Sequence, residues 1–199
     1  MKSKMLLFAI SLILIGAGTA NAQMGDQTSI GPRVGVNFAN VSHVDGSKSL
    51  TGLVIGLTCT YSISESTGLT VDLLYSGEGY TLDGNDHHLD YLQIPVLFDL
   101  FFGQLGDKFR PKVYAGLTPG FLLHAKVNDN DVDDFYNSFN IAATGGLGFN
   151  YRVGNRIWLN TDLRAFLGLS DIRQDVIGDK VANNNIQLSI GLAYGLSKI

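Results

Sequence analysis

The sequence has little cysteine, little proline and no excess of positive charge. Cys59 is the single cysteine of the 199-residue chain, so an internal disulfide cannot form. The chain carries 14 Lys and Arg against 18 Asp and Glu, with no basic stripe, which argues against binding to nucleic acid. After residue 22 there is no apolar run as long as the roughly 20 residues of a membrane-spanning helix, which argues against a helical membrane protein.

The N-terminus has the features of a secretory signal peptide. Lys2 and Lys4 give a positive start, Leu6 to Ile15 is apolar, and Ala20-Asn-Ala22 fits the small-x-small cleavage rule. We therefore predict a cleaved signal peptide at residues 1–22 and a single mature domain at residues 23–199. Loss of the two lysines makes the mature chain still more acidic than the formal charge of −4 of the precursor.

The chain beyond the signal is dominated by alternation of apolar and small or polar residues, which indicates β-strands. No segment has a convincing helical period. The lengths are near or somewhat beyond the 9 to 11 residues that a tilted strand needs to cross a bilayer. The eight segments are approximately Gly31–Val41, Thr51–Ser64, Gly68–Leu82, Leu89–Phe102, Pro111–Ala125, Phe139–Tyr151, Arg156–Ser170 and Asn185–Leu196.

The two faces of each segment differ in a way that bears on the solvent they meet. In the second segment Leu53, Ile55 and Leu57 alternate with Gly56 and Thr58. A soluble ligand-binding barrel, the main alternative, turns its apolar face inward and a charged face to water. Here the less apolar face is too poor in charge for a water-facing surface. The pattern therefore favours an all-β fold, an eight-stranded antiparallel up-and-down transmembrane β-barrel with a lipid-facing exterior.

The connections alternate between short turns and mostly longer polar loops, which is typical of outer-membrane barrels. Short turns lie in the periplasm in such barrels, and an even strand number puts both termini there. Two groups of aromatic residues fall near the expected boundaries and resemble aromatic girdles, although aromatic enrichment in strands is an alternative explanation. The expected periplasmic group is Tyr61, Phe102, Tyr151 and Trp158, and the outer group is Phe38, Tyr80, Tyr91, Phe121 and Phe139.

Several charged residues share the inner face of their segments. Isolated charges inside a narrow barrel would be costly, so we expect these groups to pair with one another. Eight strands leave an interior just wide enough for side chains to fill, so the lumen is expected to be closed. The expected charge network consists of Arg33, Asp72, Asp99, Lys112, Arg152, Asp162 and Arg164.

An acidic run between the fifth and sixth segments is a weak candidate for a calcium site. Asp129, Asp131 and Asp133 alternate and could supply oxygen ligands. However, the sixth loop position is Asp134 rather than Gly and the twelfth is Asn140 rather than Glu, so the run is not an EF-hand. A solvated loop is the default interpretation, and no metal is predicted.

Other residue types of chemical interest give equally weak signals. Asp86-His-His88 carries metal-ligand types, but adjacent His side chains on a strand point to opposite faces. A lipid-cleaving enzyme would need a Ser and a His on one surface; His124 has no Ser on its face nearby, and Ser76 is remote. We therefore predict no enzyme activity and no cofactor.

The end of the chain is similar to the signal that the barrel-assembly machinery recognises. That pattern has a polar residue, a Gly two positions later, and apolar or aromatic residues three and five positions after the Gly. Ser189, Gly191, Tyr194 and Leu196 match it. The usual terminal aromatic is absent, since the chain continues to Ile199. The resemblance implies the assembly machinery and outer-membrane lipid as partners.

The whole mature chain resembles the small outer-membrane β-barrel family called porin-family or PorT-like, with eight-stranded barrels of the OmpA/OmpX type. The matching phrases are Val34-Gly-Val-Asn-Phe-Ala-Asn40, Tyr91-Leu-Gln-Ile-Pro-Val96 and Tyr114-Ala-Gly-Leu-Thr-Pro-Gly120. Pro95 lacks a backbone donor and predicts a local irregularity of its strand. The resemblance implies the fold and a location in the bacterial outer membrane. One branch takes part in protein secretion and gliding motility, a role that these structural phrases do not carry over.

Three functions are compatible with such a barrel. The first is a structural or interaction protein that presents its outer loops or periplasmic turns to a protein partner. The second is a narrow channel for small or apolar solutes. The third is a lipid-modifying enzyme. The first is the expectation, because the lumen is predicted to be filled by its own side chains.

Overall fold

The computed structural model describes residues 28–42, 44–128, 130–174 and 180–196. A short 3-10 helix occupies Asp133–Phe135, and none of the helices in these ranges is long and apolar enough to cross a membrane. The predicted signal peptide lies outside the described residues. The strands are β1 Thr28–Val41, β2 Lys48–Ser62, β3 Thr67–Leu82, β4 Asn85–Gln93, β5 Val96–Phe101, β6 Phe109–Val127, β7 Asn130–Asp131, β8 Phe139–Arg152, β9 Ile157–Gly168 and β10 Asn183–Gly195.

The strands form one closed antiparallel sheet. Successive passes of the chain pair with each other, and β1 pairs with β10 over almost its whole length, from Ser29 opposite Gly195 to Val41 opposite Asn183. β4 and β5 together make one pass, and β7 only extends the end of β6. The remaining strands complete eight passes. This arrangement confirms the predicted eight-stranded up-and-down β-barrel.

The alternation of side chains along each strand separates an apolar exterior from a polar interior. In β10, for example, Ile186, Leu188 and Ile190 are exposed, whereas Gln187 and Ser189 between them are buried. The same assignment holds for the residues that the sequence placed on each face of β2. The outer surface of the barrel is therefore a continuous apolar band, and the polar and charged side chains of the strands are enclosed.

The fourth pass is interrupted at Pro95, as the sequence predicted. β4 ends at Gln93 and β5 begins at Val96, because Pro95 has no backbone N–H to donate to the ladder. The carbonyl of Pro95 still accepts a hydrogen bond from the Asp72 N–H at 3.0 Å, and the Ile94 N–H donates to Pro119 O at 2.9 Å. The barrel wall thus stays closed across the break.

The connection between β3 and β4 is tighter than the sequence reading suggested. The predicted polar loop from Asp83 to His88 is only a two-residue turn, because β4 begins at Asn85. Asp83 and Gly84 have φ angles of 50° and 80°. Two positive φ angles match the type I′ turn that Asp-Gly sequences favour in hairpins. The two strands of this hairpin therefore pair up to Leu82 opposite Asn85.

An apolar cluster closes the same end of the barrel from within. Tyr80 and Tyr91 belong to this cluster, so their assignment to a lipid-facing aromatic girdle was wrong. Both lie on the inward parity of their strands, and their burial in the cluster removes them from the exterior. The cluster consists of Val41, Tyr80, Leu89, Tyr91, Leu122, Ala125, Tyr136, Ile172 and Val181, and we call it the apolar cap.

Candidate functional site in the barrel lumen

The lumen near the short turns holds a network of buried ion pairs. The Arg33 guanidinium lies 2.5 Å from a carboxylate oxygen of Asp162, and Lys112 Nζ lies 3.0 Å from the other oxygen. Arg164 lies 2.6 Å from Asp72. All of these side chains are almost completely excluded from the surface. These residues come from β1, β3, β6 and β9. The network therefore connects opposite walls of the barrel.

Four further contacts belong to this network. Asp99 lies 3.8 Å from Lys112 Nζ and accepts a hydrogen bond of 2.7 Å from the Thr70 hydroxyl. Arg33 also donates to the Ser189 hydroxyl at 2.9 Å and lies 3.7 Å from Asp72. Three carboxylates thus meet three cationic groups. The network, which we call the inner charge network, is electrically balanced, as buried charges require.

Glycines on β8 make room for the large side chains of the network. Gly148 lies opposite Asp162 in the β8–β9 register, and a Cβ at Gly148 would lie 2.7 Å from the Asp162 carboxylate. A Cβ at Gly146, opposite Arg164, would lie 2.6 Å from the Tyr114 ring. Both distances are shorter than a carbon side chain allows. These glycines of β8 therefore serve packing in the lumen.

Arg152 is the one predicted member that the structure places elsewhere. It lies at the end of β8, partly exposed, with its guanidinium 5.8 Å from the centre of the Trp158 ring. Its expected pairing with lumen carboxylates is therefore wrong. Arg110 instead is buried at this end: it lies over the Phe101 ring at 4.2 Å and donates to Glu65 O at 2.7 Å. The sequence reading omitted Arg110 because it began the strand one residue later, at Pro111.

A second polar cluster lies on the same face of β3, closer to the apolar cap. Glu78 is its centre and is only 4% exposed. Its carboxylate accepts hydrogen bonds from Gln93 Nε2 at 2.7 Å, from Asn185 Nδ2 at 3.1 Å and from the Ser76 hydroxyl at 3.1 Å. Asn183 Nδ2 donates to the second carboxylate oxygen. We call Glu78, Gln93, Asn183 and Asn185 the glutamate–amide cluster.

The glutamate–amide cluster borders a small cavity between the lumen and the ends of β8 and β9. The side-chain carbonyl oxygens of Gln93, Asn183 and Asn185 are buried and accept no hydrogen bond within the described ranges. All three side chains line the cavity together with Glu78. Buried oxygens without donors are uncommon in proteins and mark a place where a bound species can lie. The remaining lining residues are Asn140, Ile141, Ala142, Phe166, Gly168, Ser170 and Ile172.

The alternation along β3 also indicates that Glu78 faces the lumen, although Glu78 was not among the predicted lumen charges. Glu78 has the same inward parity as Asp72, which was assigned to the lumen. Its neighbour Gly79 has a φ angle of 137°, a backbone conformation that side-chain-bearing residues rarely adopt. A Cβ there would also lie 1.9 Å from His87 O. Gly79 therefore lets the strand continue past Glu78 while the β3–β4 hairpin closes over it.

Two loops close over the apolar cap and are bonded to each other. The backbone N–H of Asn137 donates to Ile172 O at 2.8 Å, and that of Gln174 donates to Phe135 O at 3.0 Å. The Tyr136 hydroxyl lies 3.1 Å from the Tyr80 hydroxyl and 3.1 Å from His87 Nδ1. Burial raises the pKa of Tyr136 above its ordinary value, so this phenol is neutral at physiological pH. The lumen is thus covered at the apolar cap by hydrogen-bonded residues from both loops.

The weak calcium candidates are not gathered into a site within the described ranges. Asp129 lies outside the described residues. Asp131 is exposed in β7, and a carboxylate oxygen of Asp133 accepts a hydrogen bond from the Ala125 N–H at 2.7 Å. In the described part of the chain, no group of three or more His, Cys, Asp or Glu residues is arranged to hold a metal ion.

The Ser and His residues considered for catalysis lie on opposite sides of the barrel wall. Ser76 is buried in the lumen, where Asn37 Nδ2 donates to its hydroxyl at 2.7 Å. His124 is exposed on β6. His87 and His88 also point to opposite faces, since His87 stacks on the Tyr80 ring at 4.5 Å and His88 is exposed. Ser76 and His124 therefore face opposite sides of the wall, as do His87 and His88, so neither pair can act on one substrate.

The residues of the expected assembly signal lie at the closing seam of the barrel. Ser189 and Gly191 are buried on β10, opposite Gly35 and Arg33 of β1. Tyr194 and Leu196 are exposed on the apolar exterior, and Arg156 donates to the Tyr194 hydroxyl at 3.2 Å. The polar member of the pattern therefore belongs to the lumen, and its aromatic and apolar members face outward.

Solved structures with a similar fold are small outer-membrane proteins. Neisserial surface protein A has a TM-score of 0.58 and 17% identity, and covers 83% of this chain and 96% of its own. OprG from Pseudomonas aeruginosa has a TM-score of 0.57 and 15% identity, with 85% and 95% covered. Outer membrane protein W from E. coli has a TM-score of 0.50 and 17% identity, with 83% and 97% covered. Comparison with curated protein sequences gives no match.

Residues 21–174 match the family described as outer membrane protein beta-barrel domain. This match covers most of the chain and agrees with the closed antiparallel sheet, its apolar exterior and its polar lumen. The more specific resemblance to PorT-like proteins stays a prediction. The chain belongs to the outer membrane protein β-barrel domain family and is a β-barrel protein of the bacterial outer membrane.

Proposed function

We propose that the protein is a closed barrel of structural or interaction type, which conducts no hydrophilic solute, catalyses no reaction and presents its loops to a protein partner. The observation that carries this proposal is the filling of the lumen at three levels. The inner charge network, the glutamate–amide cluster and the apolar cap follow one another along the barrel. A solute would have to displace buried, mutually bonded side chains at each level.

The proposed orientation puts both termini and the short turns in the periplasm. It is supported by the lengths of the connections: residues 63–66 and 153–156 are short turns at one end, whereas two of the connections at the other end, over residues 128–138 and 169–182, are longer. Outer-membrane barrels have short periplasmic turns and longer extracellular loops. The apolar exterior would then contact outer-membrane lipid, and Ser189, Gly191, Tyr194 and Leu196 would be read by the assembly machinery before closure.

The Phe135 side chain, in one of the loops over the apolar cap, is the contact that we propose for a protein partner. This side chain is 70% exposed, more than any other large apolar residue that the structure describes. It lies in the short 3-10 helix on the layer that covers the cap, away from the apolar band of the barrel wall. An exposed aromatic side chain on an ordered loop is a typical anchor for a protein interface.

Electrical recording tests whether the lumen is closed. The purified protein in planar bilayers should give no stable single-channel steps, because eight strands leave no open pore once side chains fill the interior. A steady ohmic conductance that is unchanged by Arg164→Ala would contradict the closed lumen and favour a narrow channel. Hydrolysis of labelled lipid by the purified protein would instead favour a lipid-modifying enzyme.

Crosslinking in intact cells tests the interaction role. A photoreactive amino acid at position 135 should capture one specific protein, identified by mass spectrometry, whereas the same group at position 188 should capture lipid only. Leu188 is the matched control because it is exposed on the apolar band of the barrel. In a second experiment the photoreactive group is placed at a neighbouring loop position and Phe135 is changed to Ser. Loss of the captured protein in this variant would support a contact at the Phe135 side chain. Identical products from both positions would argue against it.

A further inference from the structure

We propose that the glutamate–amide cluster is a binding site for one monovalent metal cation, of the Na⁺ and K⁺ class. This inference goes beyond the proposed function, because a closed barrel can present its loops with or without a bound ion. The site comprises the Glu78 carboxylate and the unpartnered side-chain carbonyl oxygens of Gln93, Asn183 and Asn185, four residues that line one cavity.

The first argument is the charge of Glu78. Its carboxylate is enclosed, and within the described ranges no Lys, Arg or His side chain lies at ion-pair distance from it; its partners Ser76, Gln93, Asn183 and Asn185 are all neutral. A buried charge is costly unless a charge of opposite sign accompanies it. In the inner charge network each carboxylate has a cationic neighbour. Glu78 therefore lacks a partner that a small cation would supply.

The second argument is the set of oxygens around the cavity. The amide nitrogens of Gln93, Asn183 and Asn185 donate to Glu78, so their carbonyl oxygens are left without donors. Carboxylate and amide carbonyl oxygens are the ligands that hard cations prefer. A cation in the cavity would accept electron density from these oxygens, whereas an anion would be repelled by them.

The third argument concerns the valence and size of the ion. One carboxylate and neutral amides carry a single negative charge, which a monovalent ion neutralises. A divalent ion would leave one positive charge buried and unpaired. The cavity has room for about one water-sized particle, which excludes organic cations such as choline. Ser170 and Gly168 line its side toward the outer end of β9, where an ion could enter.

Thermal unfolding of the full mature barrel in detergent micelles tests the site. The midpoint is measured by the heat-dependent shift in gel mobility, in NaCl, KCl or choline chloride at equal ionic strength. We expect the midpoint to rise by several degrees as Na⁺ or K⁺ replaces choline, and the rise to saturate, because an ion that binds only the folded state stabilises it. Glu78→Gln should abolish this rise, and Asp131→Asn, on an exposed strand, should keep it.

A second variant keeps the test decisive if Glu78→Gln does not fold. Asn185→Lys places an ammonium group beside Glu78 and should remove the dependence on Na⁺ and K⁺ while the barrel still folds. Equal midpoints of the unmutated protein in NaCl, KCl and choline chloride would overturn the proposal, as would a full Na⁺ effect in Glu78→Gln. A rise with CaCl₂ alone would overturn the monovalent class.

Discussion

The two polar levels of the lumen neutralise buried charge in different ways. In the inner charge network, Asp72, Asp99 and Asp162 meet Arg33, Lys112 and Arg164 in pairs as short as 2.5 Å. In the glutamate–amide cluster, the donors to Glu78 among the described residues are all neutral. Among the described residues, each carboxylate of the inner level has a cationic neighbour, whereas the Glu78 carboxylate of the outer level has none. The same barrel wall therefore supports one region suited to rigid bracing and another suited to binding.

Both levels are built on one face of β3. Asp72 and Glu78 have the same parity and are separated by about 20 Å along an extended strand, at roughly 3.3 Å per residue. Such a separation weakens the direct interaction between the two levels, especially since the inner network is balanced. Substitutions at one level should therefore be nearly independent of those at the other, and the two regions can be compared by matched changes.

The largest effect is expected for Asp162→Asn. This change keeps the size of the side chain but removes the charge that accompanies both Arg33 and Lys112. Arg33 and Lys112 would then lose a carboxylate partner while remaining buried. Breaking a buried ion pair costs about 3–5 kcal/mol. Denaturant unfolding of the barrel in lipid vesicles should show this loss. Asp134→Asn on the exposed loop is the matched control, and an equally small effect of both changes would show that the network does not brace the barrel.

A smaller effect is expected for a charge on the apolar exterior. Leu188 lies in the middle of β10, opposite Val36 and Leu163, so Leu188→Lys puts an ammonium group near the bilayer midplane. The expected cost is about 2–4 kcal/mol, read as a reduced yield of folded barrel by gel mobility. Asn185→Lys on the same strand faces the lumen beside Glu78 and should fold well. The reverse order of yields would contradict the assignment of faces and the pairing with Glu78.

The barrel and most of its charge network could be predicted because both depend on period-2 alternation. Parity alone decides whether a strand residue faces the lumen, so Arg33, Asp72 and Arg164 were placed correctly without knowledge of their partners. Parity fails at strand ends, where the wall no longer separates two faces. Arg152 and Arg110 illustrate this: each lies one residue outside a predicted segment, and Arg152 was assigned to the lumen whereas Arg110 was not.

The outer part of the lumen was harder to predict because it depends on long-range contacts. Tyr136 and Ile172 come from loops, and loop side chains have no periodic signal that marks them as buried. The Asp83-Gly84 turn was recognisable from its sequence, but its effect is to carry Tyr80 and His87 into the cap. Glu78 had the right parity, yet two of its four partners, Asn183 and Asn185, come from β10, more than 100 residues later in the chain. Only the closed barrel brings these two to Glu78.

Tyr136→Phe tests how far the cap contributes to the outer level. The change removes the hydroxyl that contacts Tyr80 and His87 but keeps the ring in the apolar cluster. The loss of hydrogen bonds of this kind costs about 0.5–1.5 kcal/mol. Thermal unfolding should therefore show a modest decrease in the midpoint. Tyr61→Phe, on the outward face of β2, should lower the midpoint less than Tyr136→Phe does. A larger decrease for Tyr61→Phe would argue against a contribution of the loop hydroxyl to stability.

The smallest effect on stability is expected for Glu78→Gln, measured in choline chloride so that no alkali-metal ion is present. The change is chemically the same as Asp162→Asn, since a buried carboxylate becomes an amide of nearly the same shape. At Asp162 it leaves cations without their counter-charge. At Glu78 it changes a carboxylate that has no cationic neighbour in the described part of the chain, and Gln can still bond to the surrounding amides and to Ser76. The free energy of unfolding should therefore change by less than about 1 kcal/mol or rise slightly, because an uncompensated buried charge opposes folding. A loss as large as that of Asp162→Asn under these conditions would mean that Glu78 has a cationic partner of its own, and the contrast between the two levels of the lumen would not hold.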